Sequence, residues 1–107
     1  MLWRYCWWLK VCVNGKSYLK YATKEQAEKY FLPLLEDEKE CFVALTEPNA
    51  GCDLGNVETK AVKQGDKYIL NGTKTFVTAI DVSDFGVVLA VTDWEKRRHG
   101  GLTCFIV

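Results

Sequence analysis

The chain has 107 residues, of which 49% are hydrophobic and 26% charged, a balance typical of one small globular domain. Its 14 basic and 14 acidic residues cancel, so no net field draws it to nucleic acid or to an anionic membrane. Five cysteines, none spaced C-x-x-C, and a single histidine supply too few ligands for a zinc site. We therefore expect no metal site, and reduced thiols in a cytosol-like compartment.

The first 13 residues are apolar but are interrupted by Arg4 and Lys10. A membrane-spanning helix needs about 20 apolar residues, so this segment is too short to be one. No small-residue cleavage site follows it, which argues against a secretion signal. The segment is expected to be a packed helix or strand with a buried apolar face. The alternative is that these residues are not native to the domain.

The clearest predicted helix covers residues 23–35. Thr23 is placed to be the N-cap, and Gln26 three positions later completes a capping-box pattern. One apolar stripe follows at helical spacing, formed by Ala27, Tyr30, Phe31, Leu34 and Leu35. Pro33 predicts that the helix kinks there or ends just before it. The acidic run at 36–38 marks a solvated exit.

From Cys41 onward the pattern changes to that of strands. The predicted strands are 41–45, the alternating stretch from Val57 to Val62, 67–70, 73–78, 85–91 and 102–107. Gly65-Asp66 and Asn71-Gly72 are two-residue turn signals, so 67–70 and 73–78 are expected to pair as a hairpin. Residues 92–101 form a polar loop. The last strand runs into the final residue, which predicts a domain truncated at its C-terminal side.

These elements predict a mainly β fold with an N-terminal helix, of the α+β class, in which a compact antiparallel sheet is barrel-like. The chain has no P-loop, no G-x-G-x-x-G motif and no G-x-S-x-G motif. His99 has no nucleophile or orienting acid placed beside it by the sequence, so we interpret it as a solvated loop residue. Lys74 is likewise interpreted as a solvated strand residue.

The residues after the first strand have chemistry compatible with a flavin. The strand end at Leu45 and Thr46 runs into a loop in which Gly51 lets the backbone approach a pyrophosphate. Phe76 and Thr78, two apart on a predicted strand, would project from one face as a ring and a hydroxyl. Many β domains share such features: Pro48, Asn49 and Gly51 are equally simple turn residues, and Asp53 equally ties the loop to its own backbone.

Three ordered motifs narrow this choice. They are the helix from Ala22 to Leu34, the stretch Ala44 to Asp53, and the stretch Gly65 to Thr78. Together, and with residues 101–107, they resemble the acyl-CoA dehydrogenase family over residues 22–107. Cys52 stands where the family has Ser, and Phe76 where it has Trp. Residues 1–21 do not share the resemblance.

The resemblance implies FAD as the cofactor and an acyl-CoA as the substrate. The residues that it assigns to FAD are Val43, Leu45, Thr46, Gly51, Cys52, Phe76 and Thr78. Thr46 would bond the polar edge of the ring, Thr78 would donate to flavin N5, and Phe76 would pack on the ring. Gly51 and Cys52 would lie by the pyrophosphate, where a thiol is a poorer donor than the usual hydroxyl. Glu47 and Cys52 are the residues assigned to the substrate.

The implied reaction is α,β-dehydrogenation of an acyl-CoA thioester, part of fatty acid metabolism, with electrons passed to an electron-transferring flavoprotein. The family's catalytic base lies in a C-terminal helical domain, so no catalytic residue is expected in this chain, and the chain alone is expected to be inactive. Residues 1–38 would end the family's N-terminal helical domain, and 39–107 would be its middle β domain. The whole enzyme would be a homo-oligomer, a tetramer or dimer, in the cytoplasm or mitochondrial matrix.

Two alternatives remain open. The chain could be a non-catalytic β domain that serves binding or association. It could also be part of an acyl-CoA oxidase-like relative, which shares these motifs but passes its electrons to oxygen.

Overall fold

The computed structural model describes residues 18–107. The chain divides into two compact units, one made of residues up to Phe42 together with Ala79–Phe85, the other of Val43–Thr78 with Gly86–Val107. The predictions for residues 1–13, including Cys6 and Cys12, lie outside the described residues. Within the described part, no helix combines the length and the apolar character that crossing a bilayer requires.

The first unit contains the predicted helix. It consists of α1 (Lys24–Gln26), a π-helical segment (Ala27–Phe31) and α2 (Leu32–Leu35). The capping box is confirmed: the Gln26 amide donates to Thr23 Oγ1 at 3.2 Å, and the Thr23 amide donates to Gln26 Oε1 at 3.0 Å. These two bonds satisfy two of the amides that a helix start leaves without partners.

The sequence predicted that the helix either kinks at Pro33 or ends just before it. The second alternative is wrong. Pro33 lies in the first turn of α2, and the helix continues to Leu35. Proline has no N–H to donate to the carbonyl of Lys29, four residues earlier. That carbonyl accepts a bond from Lys39 Nζ at 2.9 Å instead. A π-helical segment directly before the proline therefore accommodates a residue that disfavours a regular helix.

The apolar stripe of this helix is confirmed in its centre. Phe31 and Leu34 are buried, and the Phe31 ring stacks on Tyr18 with 5.4 Å between centroids. Phe85 meets the same ring edge-on at 6.1 Å. Leu35, at 42% exposure, lies outside the buried stripe.

Five strands form the sheet of the described residues 18–107. They are β1 (Cys41–Ala44), β2 (Lys60–Gln64), β3 (Lys67–Asn71), β4 (Phe85–Val91) and β5 (Leu102–Ile106). The path runs β1-β4-β2-β3, and β5 also pairs with β4. The β2–β3 and β4–β5 pairs are antiparallel, but β2 meets β4 in parallel at Lys60 and Val91. The α+β class is confirmed, whereas the sheet is mixed and is open in the part that the structure describes, not a closed antiparallel barrel.

The predicted strand 73–78 is wrong. β3 pairs with β2 through the turn at Gly65, and after Asn71 the chain leaves the sheet. Phe76 and Ala79 adopt left-handed backbone angles, with φ of 55° and 61°. Such angles are incompatible with an extended strand. The turn signal at Asn71-Gly72 therefore did not produce a hairpin, because the chain after Asn71 forms no strand that could pair with β3.

The core of the second unit lies beneath the loop that follows β1. Its buried members are Ala50, Val57, Leu89 and Val91, and Leu45, Leu54 and Leu102 pack against them. The predicted period of two before β2 is confirmed, since Val57, Thr59 and Ala61 are buried while Glu58 and Lys60 are exposed. A threonine thus occupies a position that faces the interior.

Candidate functional site

The loop after β1 folds back on itself. The Glu47 amide donates to the Ala50 carbonyl at 2.9 Å, and the Ala50 amide donates to the Glu47 carbonyl at 3.1 Å. Pro48 and Asn49 form the exposed turn between them, while Ala50 is buried in the core cluster. The turn therefore directs Gly51 and the residues after it along the surface.

The Glu47 carboxylate is buried beneath this turn and is fully engaged within the chain. One oxygen accepts from the Glu58 amide at 2.7 Å. The other accepts from the Thr59 amide at 3.0 Å, from the Thr59 hydroxyl, and from Lys74 Nζ at 2.8 Å. A buried charge is tolerated only when it is paired and hydrogen-bonded, and here it is both.

This environment controls the ionisation of Glu47. Burial by itself would raise the pKa, but the hydrogen bonds from Lys74, Thr59 and the two backbone amides outweigh it and lower the pKa of Glu47 to about 2. Glu47 is therefore a carboxylate at any physiological pH, and it has no role as a proton shuttle in this state.

Lys74 is not a solvated strand residue, and that interpretation is wrong. Its side chain is only 11% exposed, and its amine donates to the Leu45 carbonyl at 3.0 Å as well as to Glu47. The next amide, that of Thr75, donates to the Thr46 carbonyl at 2.9 Å. We call the side chains of Glu47, Thr59 and Lys74, with these bonds, the Glu47–Lys74 clamp.

The clamp brings together two of the stretches that sequence analysis selected. Thr46 lies beside Thr75, so the strand end and the 72–78 segment are neighbours. Phe76 is 93% exposed and Thr78 is exposed. The expectation that Phe76 and Thr78 project from one face assumed a strand, and no strand forms there. The hydroxyl of Thr75 is buried and has no hydrogen-bond partner within the described chain.

The remaining predicted cofactor residues differ in exposure. Val43 and Leu45 are half-buried, and Leu45 packs on the core cluster. Gly51 and Cys52 are exposed. A Cβ built on Gly51 would meet no atom within 4 Å, so nothing inside the described chain requires glycine there.

Asp53 closes the loop at its other end. Its carboxylate accepts from the Gly55 amide at 3.1 Å, which confirms the interpretation that Asp53 ties the loop to its own backbone. It also accepts from the Asn56 side chain at 3.1 Å and from Arg98. The Asp53–Arg98 pair is exposed on both sides, at 51% and 56%.

A cleft of about 520 Å³ lies between residues 47–49 of the loop, residues 58–60 at the start of β2, residues 72–73 after β3, and the loop before β5. Trp94 and Arg97 line it, with the guanidinium 4.8 Å from the centroid of the indole ring. Of the predicted site residues, only Glu47 reaches this cleft. The cleft is therefore distinct from the surface that carries Thr46 and Phe76.

Sequence reasoning missed Thr59 and Lys74 as parts of the site. For Thr59 the sequence contained a signal. Its hydroxyl lies at a buried position of the alternating stretch, and a buried hydroxyl needs a hydrogen-bond partner inside the protein. No local signal identified Lys74, whose partner carboxylate is 27 residues away.

Comparison with known proteins assigns this arrangement to a family. The family model "Acyl-CoA dehydrogenase, middle domain" matches residues 42–107. A 3-(aryl)acrylate reductase of Clostridium sporogenes is 50% identical over 93 residues, which cover 87% of this chain and 24% of the relative. The caffeyl-CoA reductase-Etf complex subunit CarC of Acetobacterium woodii is 45% identical over the same shares of both chains.

Solved structures agree. Butyryl-CoA dehydrogenase from Megasphaera elsdenii superposes with a TM-score of 0.80 at 40% identity, over 87% of this chain and 24% of that one. A structure described as the FAD complex of PigA gives 0.72 at 32% identity, over 80% of this chain and 22% of that one. The chain thus spans about a quarter of the length of the relatives it matches. It belongs to the acyl-CoA dehydrogenase family, and residues 42–107 correspond to that family's middle domain.

Proposed function

We propose that the chain is the FAD- and substrate-binding part of an enzyme that performs flavin-dependent α,β-dehydrogenation of an acyl-CoA thioester. The observation that carries the proposal is the match to the family's middle domain over residues 42–107. The 40% identity to a butyryl-CoA dehydrogenase and the likeness to an FAD complex support the reaction and the cofactor.

The residues present fit a flavin. Phe76 offers an aromatic face that is 93% exposed and therefore open to a planar partner. Beside it, the buried Thr75 hydroxyl has no partner among the described residues. Glycine at position 51 is required by nothing in the described chain, which supports an external group that approaches its backbone.

When bound, FAD would supply the acceptor for the substrate's hydride. In the proposal, the chain's own residues bind and orient that group. Thr46 and Thr78 contribute hydroxyls to the polar edge, and Phe76 covers the ring. Val43 and Leu45 add an apolar margin, and the backbone of Gly51 and Cys52 takes the pyrophosphate. Cys52 would also border the acyl-CoA.

The wider assignments are part of the same proposal. Residues 1–38 would belong to a preceding helical domain and 39–107 to the β domain, whose exposed β3 edge would be covered in a barrel-like closure. The electron acceptor would be an electron-transferring flavoprotein, as the name of the relative CarC supports. The whole enzyme would be a homo-oligomer of the cytoplasm or mitochondrial matrix, with its catalytic base outside this chain.

The test is a titration of the full chain with FAD, in which the quenching of flavin fluorescence measures binding. We expect saturable binding that weakens in Phe76→Ala and Gly51→Ala, while both variants keep the apo melting temperature. Saturable binding by neither the wild type nor its variants would favour the alternative of a non-catalytic β domain. Oxygen consumption by a reconstituted whole enzyme would favour the oxidase-like alternative.

A further inference from the structure

We propose that Lys74 is a positioning residue for the FAD site, and that Glu47 acts with it through the fold and not by contact with the substrate. The inference rests on the proposed function, because it concerns how the FAD-facing residues are held. It assigns to Lys74 a role that its place in the sequence does not indicate.

The geometry of the clamp carries this inference. Lys74 Nζ donates to the Leu45 carbonyl at 3.0 Å and to Glu47 Oε1 at 2.8 Å. Between these two, the Thr75 amide donates to the Thr46 carbonyl at 2.9 Å. Three consecutive residues of the strand end are thus tied to two consecutive residues of the other segment. The place of Thr46 relative to Phe76 is set by these bonds.

The segment after β3 has no regular secondary structure that could hold it in place without the clamp. The segment after β3 has left the sheet, and Phe76 has a left-handed φ of 55°. A segment without ladder bonds is positioned only by its individual contacts. Among those, the amine of Lys74 is the one charged group, and its side chain is only 11% exposed.

Glu47 anchors the clamp on a third segment. Its carboxylate holds the amides of Glu58 and Thr59 just before β2, while the same oxygen that accepts from Thr59 also accepts from Lys74. Since all these donors come from inside the chain, the carboxylate is committed to the fold. The predicted substrate role of Glu47 is therefore replaced, in this proposal, by a positioning role.

Lys74→Met keeps an unbranched side chain that is one heavy atom shorter, but removes its N–H donors. In enzymes a misplacement of about 1 Å can cost about 10²-fold in rate. By the same sensitivity to geometry, we expect the FAD affinity of Lys74→Met to fall by about 10- to 100-fold. Lys74→Arg retains a charge and several donors in a different shape, so we expect partial rescue. Val87→Ala is the matched control, because it opens a cavity at a buried side chain of β4 that makes none of the clamp's bonds.

The experiment measures FAD affinity of the full chain, the apo melting temperature, and hydrogen exchange at the Thr75 amide. We expect Lys74→Met to lose affinity beyond Val87→Ala at a comparable loss of melting temperature, with faster Thr75 exchange than in Val87→Ala. Unchanged affinity in Lys74→Met, or a loss no greater than that of Val87→Ala, would overturn the inference while leaving the proposed function intact.

Two further outcomes are also decisive. If Lys74→Met does not fold, Lys74→Gln decides by the same criteria, because its shorter, uncharged side chain cannot reproduce the bonds of Nζ to both Leu45 and Glu47. If the wild type itself binds no FAD, the proposed function fails and this inference fails with it.

Discussion

The loop from Glu47 to Asp53 is held at each end by an ion pair, and the two pairs differ in how far they are exposed to solvent. At its start, Glu47 and Lys74 are 4% and 11% exposed and bond four further groups, which belong to three residues, Leu45, Glu58 and Thr59. At its end, Asp53 and Arg98 are 51% and 56% exposed. A surface pair is screened by water and contributes little, whereas breaking a buried pair leaves a charge without compensation. The start of the loop is therefore expected to be rigid, and its end replaceable.

The largest test of this contrast is Lys74→Met. Removal of one partner of a buried pair typically costs about 3–5 kcal/mol, a large share of the stability of a small domain. We expect the free energy of unfolding, measured in urea, to fall by that amount. Lys63→Met, which changes an exposed lysine of β2, should leave it within about 0.5 kcal/mol. If Lys74→Met lowered the free energy of unfolding by less than about 1 kcal/mol, the two ends of the loop would not differ in their contribution to stability.

Acid should lower the stability of the fold through protonation of Glu47 at the start of the loop. The pKa of Glu47 falls from 4.5 to about 2 on folding, which corresponds to about 3 kcal/mol of stability. Because the folded pKa is the lower one, this stability is present above pH 4.5 and is lost as the pH falls toward 2. Glu47→Gln should remove that part of the acid-induced loss, as urea titrations from pH 7 to pH 2 would measure.

The matched control for the acid experiment is Glu58→Gln, since Glu58 is exposed in the adjacent segment. It should retain the acid-induced loss of the wild type. An identical acid profile in Glu47→Gln and in the wild type would contradict the assignment of this loss to Glu47.

A smaller effect is expected from the packing around Thr59. A Cβ added at Gly72 would collide with the backbone and side chain of Thr59, a member of the clamp. Overpacking of this kind typically costs about 1–3 kcal/mol, so Gly72→Ala should lower the free energy of unfolding by that amount. Gly51→Ala, where an added Cβ meets nothing, should cost less than about 0.5 kcal/mol. Equal costs at the two glycines would refute this packing argument.

The smallest effect is expected at the exposed end. Arg98→Ala removes the partner of Asp53, but exposed pairs contribute about 0.2–1 kcal/mol. Asp53 also keeps its bonds from Gly55 and Asn56, so the loop should retain its turn. Urea unfolding at low and high salt measures the change, with Lys96→Ala as the control for loss of a neighbouring exposed charge. A loss of unfolding free energy above about 2 kcal/mol would contradict the contrast, because it would show that the exposed pair stabilises the loop as strongly as a buried pair does.

Local chemistry alone determined much of the fold. The capping box at Thr23 and Gln26 and the unbroken apolar run of β4 were predictable because each depends on residues close in sequence. The motif residues likewise identified the family before any geometry was known. Only the tertiary structure decided that 73–78 is not a strand, because a strand exists only where a neighbour accepts its hydrogen bonds. It also decided that the Lys74 side chain is mostly removed from solvent, since the partner that makes this tolerable for its charge comes from a distant part of the chain.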